Sequence, residues 1–158
     1  MAAGQPVFTL RPPRPDECPA LTALCLTSKA HWGYDADFMA ACVDELTVHP
    51  RDLETDRHQV AEKDGAVVGV AALSVAGDRG RVELMFVAPD AMGQGIGRAL
   101  MAWLITEARS LGLAAIDIDA DPGAVGFYER MGARRVGEAA SGSIPGRMLP
   151  ALAIDLNA

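Results

Sequence analysis

The chain of 158 residues carries 14 basic and 21 acidic side chains, a formal net charge of −7, and 50% of it is hydrophobic. This length and hydrophobic fraction predict a single domain, residues 1–158, with a core of its own. The acidic balance argues against a nucleic-acid-binding protein, which needs basic surface to displace counterions. The longest apolar run, residues 66–76, is too short to cross a bilayer, so we expect no membrane partner.

The three cysteines fall in helical patterns without the spacing of a metal site, and the histidines lack the H-E-x-x-H spacing. We therefore expect no metal, and we interpret Cys18, Cys25 and Cys42 as core thiols. The N-terminus has no apolar segment typical of a signal peptide. These features predict a cytoplasmic protein, because thiols stay reduced in that compartment.

The first third of the chain predicts one strand followed by two helices. Residues 7–11 alternate and end at two prolines, which favours a strand. Asp16 is placed to cap a helix that ends near Ala30, and Asp35 is placed to cap a second helix through Leu46. The loop between these helices carries three side chains that would either wall a substrate pocket or pack against the sheet edge: His31, Trp32 and Tyr34.

A β meander follows an irregular connection over residues 47–56. We predict strands over residues 57–63 and 66–75, joined by Asp64-Gly65, a pair typical of a type I′ hairpin turn. Residues 81–87 predict the central strand, which ends before Pro89. By simple alternation we expect Val82, Leu84 and Phe86 to share one face of that strand.

A glycine-studded loop then leads into a long helix, predicted over residues 96–111. The loop contains three glycines, Gly93, Gly95 and Gly97. Each loses more backbone entropy on folding than a residue with a Cβ, so a favourable interaction must offset that cost. The first N–H groups of a helix have no intrahelical partner, the macrodipole is positive there, and Arg98 adds charge. The loop therefore predicts an anion site. The alternative is a tight turn without a ligand.

The remaining elements alternate strand and helix. We predict a strand over residues 114–119, a helix from Asp121 to Met131, and strands over residues 134–138 and 149–156. The strand over 114–119 must run parallel to the central strand, because a helix connects the two. The order β-α-α-β-β-β-α-β-α-β-β predicts an α/β (α+β) fold. Its sheet is mixed and mostly antiparallel, with six to seven strands and helices on both faces.

Two stretches resemble the motifs of the GNAT superfamily of N-acetyltransferases. Residues 92–97, MGQGIG, are similar to the pyrophosphate loop R/Q-x-x-G-x-G/A, with Met92 in place of the usual first residue. Residues 121–132 are similar to the pattern N-x-x-A-x-x-F-Y-x-x-x-G, with Asp121 in place of asparagine. The resemblance implies the GNAT fold over nearly the whole chain and acetyl-CoA as cosubstrate.

The resemblance also implies roles for individual residues. Pantetheine would pair with the central strand, pyrophosphate would bind the glycine loop, and the helix after Asp121 would face the arm. The implied cofactor-binding residues are Met85, Phe86, Val87, Gly93, Gln94, Gly95, Ile96, Gly97, Arg98, Asp121, Phe127 and Tyr128. The backbone N–H of Val87 would polarise the thioester carbonyl.

Two catalytic roles follow from the chemistry of amine acylation. An alkylamine is almost entirely protonated at neutral pH, so attack on a thioester needs a base, and Glu83 is the candidate. Tyr128 would donate a proton to the departing thiolate. Each has a structural alternative: Glu83 as a solvated strand carboxylate, and Tyr128 as an aromatic packed on the sheet.

The predicted function is direct transfer of an acetyl group from acetyl-CoA to a small-molecule or peptide amine. No covalent acyl-enzyme is expected. One alternative is a regulatory or interaction module that binds acyl-CoA without turnover, and another is a structural α/β domain that binds no CoA. The final strands leave a sheet edge at which a homodimer would pair.

Overall fold

The structure is a computed structural model that describes residues 7–157. The strands are β1 Thr9–Arg11, β2 Arg57–Lys63, β3 Ala66–Ala76, β4 Arg79–Val87, β5 Ala115–Asp119, β6 Arg134–Ala140 and β7 Met148–Asp155. The helices are α1 Cys18–Ala30, α2 Ala36–Leu46, α3 Asp52–Thr55, α4 Ile96–Ser110 and α5 Val125–Arg130.

The predicted order of elements is confirmed, with one addition. The short helix α3 lies in the stretch predicted to be irregular, where the Asp52 carboxylate accepts the His49 N–H at 2.8 Å. The predicted cap Asp35 accepts the N–H of Phe38, and Asp64 has the positive φ that a type I′ turn requires. The predicted cap Asp16 is wrong, because a 3-10 turn precedes α1 and its side chain caps nothing.

The seven strands form one sheet in the order β1-β2-β3-β4-β5-β7-β6. Every neighbouring pair is antiparallel except β4 and β5, which are parallel as predicted. A core cluster that includes buried residues of α4 and Tyr128 of α5 covers one face. A second cluster, from α1 and α2, covers the other face and contains all three cysteines, which are buried and free. Helices therefore lie on both faces.

A β-bulge in β4 changes the predicted faces of the central strand. Val82 is opposite Leu73 and Leu84 is opposite Ala72, so Glu83 is an extra residue without a partner on β3. The alternation shifts by one at a bulge. Val82 therefore packs on the α4 side, whereas Leu84 and Phe86 pack on the α1 side. The prediction that Val82 shares their face is wrong for this reason.

Two further observations concern membranes and metals. No helix in residues 7–157 is long and apolar enough to span a membrane. Within the same residues, no group of three or more His, Cys, Asp or Glu side chains is arranged to hold a metal ion.

Candidate active site

A cleft opens where β4 and β5 stop pairing. The two strands pair only from Arg79 with Ala115 to Arg81 with Asp117. Two ion pairs, Arg79 with Asp117 and Arg81 with Asp119, flank this junction. Beyond it, residues of both strands line a cleft of about 780 Å³. That volume is in the range of small-molecule binding sites.

The glycine loop forms one end of the cleft. Gly93 and Gly95 have φ of +81° and +84°, and added Cβ atoms there would meet open space. No acceptor in residues 7–157 receives a hydrogen bond from the backbone N–H groups of residues 93–98. Because α4 begins at Ile96, its positive end points at the same place. The loop thus offers unpaired donors to an anion, as the sequence predicts.

Gln94 differs from its neighbours in the loop. Gly93, Gly95, Ile96, Gly97 and Arg98 line the cleft, and Gln94 does not. The Gln94 side chain instead accepts a hydrogen bond of 2.8 Å from Nζ of Lys63 at the end of β2. This contact joins the loop to the β2–β3 hairpin. Only the backbone of Gln94 remains available for the predicted phosphate contact.

The unpaired edge of β4 forms the wall beside the loop. Met85, Phe86 and Val87 line the cleft. The N–H of Ala88 donates to the carbonyl of Val68 on β3 at 2.8 Å. Successive N–H groups of a strand point to opposite edges, so the N–H of Val87 points away from β3 and toward the gap. The main chain there has the geometry required to pair with an extended ligand.

Tyr128 is a buried residue whose hydroxyl is accessible from the cleft. Its side chain lines the cleft, is 7% exposed and packs edge-on against Phe127 at 5.2 Å between ring centroids. No side chain or carbonyl within residues 7–157 accepts or donates a hydrogen bond at this hydroxyl. Burial, and secondarily the charge of Asp121, raise the pKa of the phenol well above its usual value. The group is therefore a protonated donor at neutral pH.

Glu83, the bulge residue of β4, also reaches the cleft. Its side chain lines the cleft, is 41% exposed and accepts a hydrogen bond of 2.8 Å from the Ser74 hydroxyl. Nε of Arg81 lies 3.8 Å from Oε1 of Glu83, while Nη2 of the same guanidinium contacts Asp119. The carboxylate is thus accessible to a ligand and fixed in direction by a neighbour.

The loop between α1 and α2 supplies one of its three predicted pocket residues to the wall. Trp32 lines the cleft, is 47% exposed, and its ring lies so close to Gly123 that an added Cβ would approach Cζ3 at 2.8 Å. His31 and Tyr34 do not line the cleft. The Tyr34 hydroxyl instead donates to Asp121 at 2.5 Å and accepts from Arg147 at 2.8 Å.

Asp121 lines the cleft, and two basic side chains lie near its carboxylate. Its carboxylate lies 3.8 Å from Nζ of Lys29 and 3.8 Å from Nη2 of Arg147, and it accepts the N–H of Gly123. The carboxylate is therefore held by contacts with other protein groups. Phe127 lines the cleft next to Gly97 of the loop, 3.5 Å from where a Cβ would stand.

Sequence reasoning missed several charged residues in the cleft wall, among them Lys29 of α1 and Glu45 of α2. No motif marks either residue. The available signal is helical spacing, because Lys29 follows buried Ser28 and Glu45 lies three positions after buried Cys42. That signal indicates only the edge of a buried face.

A family model described as the acetyltransferase (GNAT) family matches residues 27–133. This match covers both the glycine loop and Tyr128. The chain therefore belongs to the GNAT acetyltransferase family, which is a family of acyltransferases.

Among curated proteins, the chain is similar to an IAA acetyltransferase from Azospirillum brasilense. The two are 41% identical over 75 residues, which are 43% of this chain and 49% of the relative. The match thus spans about half the length of the curated relative.

Solved structures of other acetyltransferases share the fold. One is the PaiA N-acetyltransferase from Thermoplasma acidophilum in complex with coenzyme A, with 12% identity and a TM-score of 0.75 over 94% of this chain and 98% of that one. Another is a GCN5-related N-acetyltransferase from Rhodopseudomonas palustris, with 22% identity and a TM-score of 0.77 over 98% of both chains. At these identities the similarity establishes the fold and leaves the acceptor open.

Proposed function

We propose that this protein transfers an acetyl group from acetyl-CoA directly to a primary amine. The observation that carries the proposal is the cleft between β4 and β5. One cleft brings together the unpaired donors of the glycine loop, the free edge of β4 and the hydroxyl of Tyr128.

Each part of acetyl-CoA, from the pyrophosphate to the pantetheine arm, has a matching part of the cleft. Backbone N–H groups of residues 93–98 would hold the pyrophosphate, and the exposed Arg98 adds positive charge. The edge of β4 at Met85 to Val87 would pair with the amides of the pantetheine arm, with Phe127 beside it. Bound acetyl-CoA supplies an activated acyl group on sulfur. The presence of coenzyme A in the Thermoplasma neighbour supports this assignment.

Glu83 is the proposed base. An ammonium ion has no lone pair for attack, so the acceptor must lose a proton before the C–N bond forms. Glu83 is the bulge residue of β4, lines the cleft and is held by Ser74. It would take that proton directly or through one water.

Tyr128 is the proposed acid. When the C–S bond breaks, the electron pair remains on sulfur, and a hydrogen bond from a phenol stabilises the leaving thiolate. The Tyr128 hydroxyl has the required proton and no competing partner among the described residues. The backbone N–H of Val87, directed toward the gap, would polarise the carbonyl.

The direct experiment measures thiol release from acetyl-CoA with a panel of amines, beside calorimetric binding of CoA. IAA, the compound in the name of the Azospirillum relative, is assayed beside the panel. We expect release that depends on an amine and no acetyl adduct on the protein by mass spectrometry. Tight CoA binding without release for any amine would favour the alternative module. Absence of binding at millimolar acetyl-CoA would refute both.

A further inference from the structure

Two contacts bridge the acceptor end of the cleft. The β6–β7 loop, residues 141–147, meets the α1–α2 segment at both ends. Nη2 of Arg147 donates to the Tyr34 hydroxyl at 2.8 Å, and the Ser143 hydroxyl donates to the Glu45 carboxylate. A Cβ on Gly142 would lie 3.0 Å from Oε1 of Glu45, so the loop backbone rests directly on that side chain.

The bridge at Tyr34 is built from partly buried charges. Arg147, Lys29 and Asp121 are only 20%, 18% and 15% exposed in their side chains. The guanidinium carbon of Arg147 lies 5.0 Å from the ring centroid of Tyr34 and 4.9 Å from that of Phe38. Hydrogen bonds and cation–π contacts of this kind hold three chain segments in one arrangement. Lys29 and Asp121, which line the cleft, are therefore held in place by residues outside it.

The volume left for an acceptor is small. The cleft of about 780 Å³ must also accommodate the acyl end of acetyl-CoA, since the glycine loop and Tyr128 line the same cavity. Tyr128 is 7% exposed as a residue, and its hydroxyl, which has no hydrogen-bond partner among the described residues, marks where the reacting atoms would meet. A folded protein surface does not enter such a space, whereas a compact molecule does.

The carboxylates that line the cleft differ in whether a basic side chain lies near them. Asp119 is paired with Arg81, and Asp121 lies near Lys29 and Arg147. Glu45 has a hydroxyl as its only hydrogen-bond partner among the described residues, and no basic side chain there lies within 4.0 Å of it. An unmatched carboxylate in a cleft attracts a cation. Glu83, the proposed base, faces the reacting amine, so Glu45 is available for a second positive group.

We propose that the acceptor is a compact amine that carries a second positive charge, and that Glu45 of α2 is the specificity-determining residue that binds this charge. The exposed ring of Trp32 is available to the apolar part of the same molecule. This inference rests on the proposed acetyl transfer and adds the class of acceptor to it.

The test compares matched acceptors on the full-length protein. The probes are a linear diamine, the monoamine with the same carbon chain, and a short peptide with a free N-terminus. We expect kcat/KM for the diamine to exceed that for the monoamine by about tenfold or more, since hydrogen bonds to charged groups have that strength. The peptide is expected to be the poorest acceptor.

The variant Glu45→Gln keeps an acceptor for the Ser143 hydroxyl and removes only the charge. It should abolish the preference for the diamine and leave the kcat/KM of the monoamine close to that of wild type, because the monoamine has no second charge for Glu45 to bind. Asp44→Asn is the matched control, because Asp44 is an exposed neighbour on α2 outside the cleft. It should keep the preference, and thermal melting of both variants checks their folding.

Two results would overturn the inference in distinguishable ways. If the protein acetylates the monoamine or the peptide as well as the diamine, or if Glu45→Gln retains the preference, the acceptor class is wrong and acetyl transfer stands. If acetyl-CoA binds and no amine of any class releases thiol, the proposed function fails and the inference fails with it.

Discussion

The Tyr34 hydroxyl lies 2.5 Å from Oδ2 of Asp121, although the two residues are 87 positions apart in sequence. This contact gives a physical reason for aspartate at a position where the family pattern has asparagine. The carboxylate is shared with Lys29 and Arg147, and a neutral amide would not offset their charge. Burial and the hydrogen bond to Asp121 raise the pKa of Tyr34, so the phenol remains a donor.

Asp121→Asn restores the family residue and should nevertheless destabilise the protein. Two partly buried cations lose their carboxylate, and we expect the free energy of unfolding to fall by about 1–3 kcal/mol. Denaturant unfolding of both proteins measures the difference. Glu129→Gln, on an exposed residue of α5 outside the cleft, is the control and should be neutral. An Asp121→Asn variant as stable as wild type would contradict this account.

Tyr128→Phe should separate chemistry from binding. Loss of a positioned proton donor lowers kcat by roughly 10²- to 10⁴-fold. The affinity for acetyl-CoA should stay the same, because the hydroxyl contacts no described protein group and the ring that packs on Phe127 is retained. Steady-state thiol release and calorimetry with CoA measure the two quantities. Unchanged kcat would exclude the acid role.

Glu83→Gln should also lower kcat, by a similar factor of about 10²- to 10⁴-fold, because the amide accepts no proton from the amine. CoA binding should persist, since Glu83 lies away from the glycine loop on the bulge of β4. Glu54→Gln, on an exposed residue of α3 outside the cleft, serves as the control for loss of one charge. Full activity of Glu83→Gln would identify its carboxylate as a solvated side chain without a catalytic role.

Gly95→Ala and Gly77→Ala form a matched pair for the anion loop. Both glycines have positive φ, +84° and +61°, and an added Cβ at either meets open space. Alanine is strained at either position by about 1 kcal/mol, so both variants should melt at lower temperature. Only Gly95→Ala should weaken acetyl-CoA binding, because Gly77 is in the turn between β3 and β4. Equal affinities of the two variants for acetyl-CoA would show that the loop is not part of the binding site.

The pair formed by Arg11 and Glu17 predicts a pH dependence of stability. The Arg11 guanidinium lies 2.7 Å from Oε2 of Glu17, and this hydrogen bond lowers the pKa of Glu17 to about 2. A carboxyl group with a depressed pKa stabilises the fold above its unfolded pKa, and the contribution is lost as pH falls toward the folded value. Wild type should therefore exceed Glu17→Gln in unfolding free energy at pH 7. The difference should shrink between about pH 4.5 and pH 2, and a constant difference would contradict the linkage.

The elements that sequence predicts well here are those determined by local pattern. The period of hydrophobic residues identifies α4, and the Asp64-Gly65 pair identifies a hairpin turn. The loop at Gly93 to Gly97 is identifiable because glycines at the start of a helix cost backbone entropy and leave the unpaired N–H groups of the first turn open to a ligand. In each case the determining residues are neighbours in sequence.

The features that sequence reasoning missed depend on residues far apart in the chain. The bulge at Glu83 exists only relative to Ala72 and Leu73 of the adjacent strand. For Tyr34 the sequence leaves a pocket wall and packing against the sheet edge both open, and the observed contacts with Asp121 and Arg147 follow from no local pattern. Glu45 contacts Ser143, which lies 98 positions away in the sequence.

The short junction between β4 and β5 divides the sheet into two parts, β1 to β4 and β5 to β7, that are joined through three residue pairs. A small rotation about this junction changes the separation of the parts most at the far end, near Val87 and the glycine loop. We therefore expect the ion pairs of Arg79 and Arg81, which hold the junction, to influence how far β4 and β5 diverge. Arg79 would exert this effect without lining the cleft itself.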